Sequence, residues 1–64
     1  MGKVRALREA AGLTQAELAE RSGVSQTWIS RLERGKENPT LATLRRLAAA
    51  FGVRVTDLLD EQAA

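Results

Sequence analysis

Apolar residues recur with helical spacing along most of the chain. Val4, Leu7 and Ala11 stand at i, i+3 and i+7, and Leu41, Leu44, Leu47, Ala48 and Phe51 form a longer stripe of the same kind. The nearest approach to strand alternation is Val53-Arg54-Val55, too short to count. Glycines punctuate the pattern. Gly12, Gly23, Gly35 and Gly52 each follow a helical run, where a left-handed residue is least costly as glycine. Leu13, Val24 and Val53 follow three of them, as the hydrophobic contact of a Schellman ending requires. Start signals stand opposite: a Thr14-x-x-Glu17 capping box, Ser25 as an N-cap, and Thr40 after Pro39. The pattern predicts five helices, at 3–11, 15–22, 26–34, 41–51 and 55–61, in one domain spanning 1–64. Leu13, Leu18, Val24, Ile29, Leu32, Leu44, Leu47, Phe51 and Leu58 are the expected core. The one real loop is 35–39, and there is no linker, repeat or low-complexity tract.

Residues 15–34 hold the most information. Two short helices crossing steeply need a small residue at the crossing, a glycine in the turn and apolar anchors inside. Ala19, Gly23 and the set Leu18, Val24, Ile29 and Leu32 meet those needs. The second helix, 26–34, has two chemically different faces. Ile29 and Leu32 form a back. Thr27, Ser30, Arg31 and Arg34 form a polar, basic front that looks free of carboxylates. Such a helix, held from behind and offering donors in front, suits the major groove of DNA.

Composition narrows the chemistry. In 64 residues there is no cysteine and no histidine, which removes disulfides, thiolate metal sites, the usual zinc ligand and the usual general base. With no phosphate-binding glycine loop either, catalysis is not expected, nor is any cofactor, metal or small-molecule ligand. No apolar run approaches the roughly 20 residues of a membrane span, and no signal-peptide pattern leads the first helix, so a cytoplasmic domain is the expectation. Ten Lys and Arg against eight Asp and Glu give a net charge of +2, too small to argue nucleic-acid binding alone. The distribution says more: Asp57, Asp60 and Glu61 crowd the C-terminus while arginines gather near the middle, giving a dipolar molecule.

The segments VRALREAAGLTQAELAERSGVS and WISRLERGKENPTLATLRRLAAAFGV, followed by the closing Asp57-Leu58-Leu59, resemble the Cro- and C1-repressor-type helix-turn-helix family, which includes lambdoid phage repressors. The resemblance covers nearly the whole chain. It is specific, because the glycines, the Thr-Gln start of the second helix, the Leu-Glu-x-Gly end of the third and the Asn-Pro-Thr before the fourth coincide. It implies an all-α, compact five-helix bundle with a helix-turn-helix at 15–34 and a recognition helix at 26–34. It also implies sequence-specific binding of double-stranded DNA by a transcriptional regulator of the repressor kind. Gln26, Thr27, Ser30 and Arg31 fall where such proteins read bases; Gln suits adenine, the Thr methyl a thymine methyl, and Arg31 a guanine. Gln15, Arg34, Lys36, Asn38, Thr40 and Thr43 fall where the phosphate backbone is held.

Each assignment has a plainer counterpart. The polar residues of 26–34 could be a solvated helix face. Trp28 is favoured as a packing residue whose N–H is free to reach a phosphate, rather than as a base-stacking one. Arg8 and Glu33 match an ion pair that locks the third helix in this family, favoured over a DNA contact by Arg8. Arg54 departs from the family, standing where Ser, Thr or Asp usually caps the fifth helix. That leaves three possibilities open: a frayed helix, a shorter one capped by Thr56, or an arginine that answers a phosphate. Family dimers often pair through the fourth and fifth helices, and Val55, Leu58 and Leu59 offer a modest apolar patch for a homodimer. The alternative function is a protein-interaction module, an antitoxin or adaptor subunit on the same fold.

Overall fold

Side-chain oxygens open three of the helices. In the computed structural model, which describes residues 2–59, the elements are α1 (Gly2–Ala10), α2 (Gln15–Ser22), α3 (Gln26–Glu33), α4 (Leu41–Phe51) and a single 3-10 turn (Val55–Leu58). Thr14 Oγ1 accepts from the Glu17 N–H at 3.0 Å while Glu17 Oε1 accepts from the Thr14 N–H at 2.8 Å, a complete capping box. The Thr14 backbone N–H in turn holds the Glu17 carboxyl below its ordinary pKa. Ser25 Oγ accepts from the Trp28 N–H at 3.1 Å, and Thr40 Oγ1 from the Thr43 N–H at 3.2 Å. Each cap satisfies a backbone donor that has no partner within its helix.

The helix ends divide into two kinds. α4 closes in a Schellman motif: Gly52 is left-handed at φ 73°, and the Val53 N–H reaches back to Ala48 O at 3.0 Å. The corner after α2 differs from the Schellman ending expected there. Gly23, at φ 74°, donates to Ala19 O at 2.9 Å, but the Val24 N–H turns aside to Ser22 Oγ at 3.3 Å. Ser22 Oγ donates in turn to Leu18 O at 2.7 Å. The chain must begin α3 within two residues, so Val24 cannot stay over the last turn of α2, and a buried serine takes its N–H instead. Nothing in the apolar pattern marked Ser22.

The fifth helix is a correction. Among the described residues there are four α-helices, and the fifth element is one 3-10 turn ending at Leu58 rather than a helix to 61; residues 60 and 61 lie outside the described part. Arg54 stands at the N-cap position, where its guanidinium has no acceptor to offer an orphan N–H. Asp57 compensates in one direction only, accepting from the Arg54 N–H at 3.0 Å. Smaller boundary shifts accompany this: α1 ends at Ala10 rather than 11, and α3 at Glu33 rather than 34.

Val4, Leu18, Ile29, Leu32, Leu47 and Leu58 are fully buried, joined by Leu13, Leu44 and Ala48. Val24 and Phe51, expected inside, are half-buried and pack against this cluster from its edge. Val4 and Ala48 belong to the core although only their stripes pointed there. Leu41 fails its stripe: at the first position of α4 it is 55% exposed. α2 packs on both α3 and α4, α1 on α3, and the 3-10 turn on α1 and α4, so the last element closes the core. The radius of gyration is 10.5 Å, close to the value on the order of 11 Å expected for a folded chain of this length.

Leu58 and Leu59 are adjacent but unlike, one fully buried and one 43% exposed. Leu58→Ala should lose about 2–5 kcal/mol, a large share of the roughly 3–10 kcal/mol available to so small a domain. Leu59→Ala should change stability by less than about 0.5 kcal/mol. Urea unfolding followed by circular dichroism measures both; equal effects would mean that the turn is not part of the core.

Candidate nucleic-acid interface

A helix of eight residues, about 12 Å long, cannot hold its own angle; α3 is fixed from behind. Ile29 and Leu32 anchor it in the core, and a polar network ties down its last turn. Arg8 presents the Nε–Nη2 edge of its guanidinium to Glu33, with Nε to Oε2 at 2.8 Å and Nη2 to Oε1 at 3.0 Å. The remaining Arg8 Nη1 donates to Leu13 O at 2.9 Å, and Gln15 Nε2 donates to Glu33 Oε1 at 3.0 Å. The network therefore joins α1, the α1–α2 turn, the start of α2 and the end of α3. The side chains of Arg8 and Glu33 are 12% and 5% exposed. Among the described residues no buried side-chain nitrogen or oxygen lacks a partner. Burial alone would push the Glu33 carboxyl up; hydrogen bonds from Arg8 and Gln15 and the nearby positive charge outweigh it, and the pKa lies below the ordinary value. The Glu33 hydrogen bond raises that of Arg8.

The front of α3 opens on a recess lined by Gln15, Gln26, Thr27, Ser30, Arg31 and Arg34. All four expected base readers are thus gathered on one surface. Gln26, Thr27 and Arg31 are exposed, and Ser30 is half-buried. The Gln15 side chain donates to Glu33, and the backbone N–H groups at the start of α2 offer a phosphate site that does not depend on it. One detail differs from the sequence reading: the front is not free of carboxylates, because Glu37 folds back from the loop to pair with Arg31, Oε2 to Nη1 at 3.2 Å. That contact depends on the chain reversal after Gly35, which residue spacing within a helix cannot reveal.

A second recess flanks α3 on the side of α4. It is lined by Gly23, Val24, Ser25, Trp28, Ala42, Thr43 and Arg46. Trp28 is half-buried and packs against the core, so its body is structural. Arg46 lies over the α2–α3 corner, its Nη1 3.9 Å from where a Cβ on Gly23 would stand. Arg46 was not among the expected site residues; its place in this recess follows from standing three residues after Thr43 on one helix face. Thr40 and Thr43 share a hydroxyl contact at 3.0 Å at the start of α4. Arg34, which lines the first recess, and Lys36, Asn38 and Thr40 in the segment from α3 to α4 are exposed. The first-turn amides of α3 add the positive end of a helix dipole to this surface. The arrangement can hold an extended polyanion and present hydrogen-bonding side chains to whatever lies between its charges. Among the described residues no His, Cys, Asp or Glu cluster could hold a metal ion, and no helix is long and apolar enough to cross a membrane.

Comparison with known proteins agrees in extent with this architecture. A family model described as helix-turn-helix matches residues 4–58. An uncharacterized HTH-type transcriptional regulator of Sinorhizobium fredii is 53% identical over 53 residues, covering 83% of this chain and 69% of that protein. The immunity repressor protein of Bacillus phage phi105 is 35% identical over 60 residues, covering 94% of this chain but 42% of the repressor, so the chain spans less than half of that relative. Among solved structures, the restriction-modification controller protein C.AhdI from Aeromonas hydrophila superposes with a TM-score of 0.87 at 34% identity, covering 91% of this chain and 88% of that one.

Removing one partner of the buried pair strands the other. Arg8→Ala should therefore destabilise the domain by about 3–5 kcal/mol, enough to leave it partly unfolded at room temperature. Because the folded-state pKa of Glu33 is lowered, its stabilising contribution is present above the unfolded value of about 4.3 and is lost as pH falls through the folded value. Stability should be level above about pH 5 and fall below it, and Glu33→Gln should be less stable at pH 7 with a shallower acid decline. Thermal melts between pH 2.5 and 7 test this; an unchanged acid limb in Glu33→Gln would remove Glu33 from the explanation.

Proposed function

The chain belongs to the helix-turn-helix family, and from that premise we propose that it binds double-stranded DNA sequence-specifically, with α3 in the major groove, as a transcriptional regulator of the repressor kind. The observation that carries the reading is the union of a pinned back and a gathered front: Glu33 buried on Arg8, and Gln26, Thr27, Ser30 and Arg31 on one open surface. Gln26 and Thr27, in the first turn, reach deepest into the groove, where Gln pairs with adenine N6 and N7 and the Thr methyl meets a thymine methyl. Ser30 and Arg31 follow one turn later, with Arg31 directed to guanine O6 and N7.

Phosphates are held on either side. On one flank lie the backbone at Gln15 and the Arg34 side chain; on the other lie the Trp28 N–H, Thr40, Thr43 and Arg46, with Lys36 and Asn38 between. These contacts set register and supply sequence-independent affinity. Two copies pairing through α4 and the following turn would address half-sites about one helical turn apart. Leu58 drops out of the apolar patch for that pairing, being fully buried, which leaves the half-buried Val55 and the exposed Leu59.

Selection from a randomised duplex pool should yield a consensus site, and its symmetry would report whether two copies bind. Affinity for that site, read by fluorescence anisotropy, should fall with salt at a log–log slope of about −0.9 per phosphate contacted. Arg31→Ala should relax preference at one base pair, losing about 1–3 kcal/mol of discrimination there, whereas Lys36→Ala should weaken every sequence alike. Salt-independent binding, or no effect of either substitution, would refute the reading.

A further inference from the structure

The geometry points to Glu37 as the residue that sets the specificity of Arg31: it holds the guanidinium by Nη1 and leaves the Nε–Nη2 edge free to read guanine. This inference rests on the DNA-binding reading of α3, and it makes a loop carboxylate a positioning residue for the base contact.

Glu37 comes back to α3 because the helix ends in a tight reversal. The Gly35 N–H bonds to Leu32 O at 3.0 Å and the Lys36 N–H to Arg31 O at 2.9 Å, a Schellman ending that lays residues 36 and 37 alongside Arg31. Arg31 is thus gripped at its carbonyl by Lys36 and at its side chain by Glu37, with Oε2 3.2 Å from Nη1. The Glu37 side chain is 29% exposed, half-sheltered against the helix, whereas that of Arg31 is 60% exposed.

The occupied nitrogen matters. An arginine can meet the two guanine acceptors with its Nη1–Nη2 end or with its Nε–Nη2 side. Glu37 engages one of the two Nη1 hydrogens and makes no hydrogen bond to Nε or Nη2, so the side fork keeps all its donors for O6 and N7 while the end fork shares a nitrogen with the carboxylate. The same division of labour occurs in this molecule at Arg8, whose Nε–Nη2 side grips a planar pair of acceptors, the Glu33 carboxylate, while Nη1 is held by a carbonyl. An unrestrained arginine at the groove wall would equally well swing to a phosphate, which every sequence offers. A carboxylate beside it opposes that, because its own charge repels the backbone. Glu37 therefore trades non-specific affinity for discrimination.

The size of the effect follows from exposure. An ion pair this open to solvent restrains its partner by a factor of about five at most, whereas the base contact itself is worth about fivefold or more. Both Glu37→Ala and Glu37→Gln should raise affinity for random duplex, since each removes a negative charge. The ratio of affinities for guanine over the other bases at the Arg31 position should fall about two- to fivefold in Glu37→Ala, and less in Glu37→Gln, which keeps an acceptor for Nη1. In an Arg31→Ala background neither change should alter that ratio. Anisotropy titrations of the full chain against the selected site, its single-base variants and random duplex provide every quantity. Specific and random binding shifting by equal factors would overturn the inference, as would a change in ratio that persists without Arg31. If the wild-type chain binds no duplex, the DNA-binding reading and the inference fall together; if it binds but the ratio ignores Glu37, the inference falls alone.

Discussion

The bidentate contact between Arg8 and Glu33 is the constraint on which the rest of this small domain depends. α3 is too short to be set by backbone hydrogen bonds alone, and two apolar anchors fix its depth better than its rotation. A planar guanidinium locked edge-on to a buried carboxylate fixes the last turn of α3 relative to α1. Leu13 O and the Gln15 amide complete the network, so the α1–α2 turn and the start of α2 are indexed to the same point. A buried ion pair is weak evidence for net stability, since desolvation offsets much of its attraction. Its contribution here is orientation: an apolar contact would tolerate slippage that the two parallel hydrogen bonds do not.

The molecule holds a second arginine–glutamate pair on the same helix, and the contrast is instructive. Arg8 with Glu33 is shielded from water; Arg31 with Glu37 is largely open to it. The first pair acts as a fixed joint. The second can only bias a side chain, because solvent screening reduces an exposed pair to about 1 kcal/mol or less. If α3 reads bases as proposed, a weak bias is nevertheless useful there, because the competing orientations of an arginine differ by similarly small energies.

Much of this was legible in the sequence because it is local. Thr14, Ser25 and Thr40 cap their helices by reaching three residues ahead, and Gly52 ends α4 by its own left-handed backbone. The fully buried residues lie on helical stripes, and the gathering of Gln26, Thr27, Ser30 and Arg31 on one face is a matter of spacing. What escaped depends on chain reversals and on the ends of elements. Ser22 became a latch because the α2–α3 corner left the Val24 N–H without a helix partner. Glu37 reached Arg31 only by way of the turn at Gly35. The Gln15 side chain joined the network behind α3, and over its described part the last element is one 3-10 turn that begins without a side-chain cap from Arg54.

The most direct test of a helix pinned behind and reading in front is a map of amide and side-chain chemical shifts as the chain is titrated with its selected duplex. Shifts should concentrate at the start of α2, along Gln26–Arg31, through residues 34–40 and at the Trp28 indole and Arg46. The Arg8 guanidinium and the amides around Glu33 and Leu58 should stay nearly still. Large shifts at Arg8 and Glu33, or perturbations centred on α1 and the 3-10 turn, would contradict it.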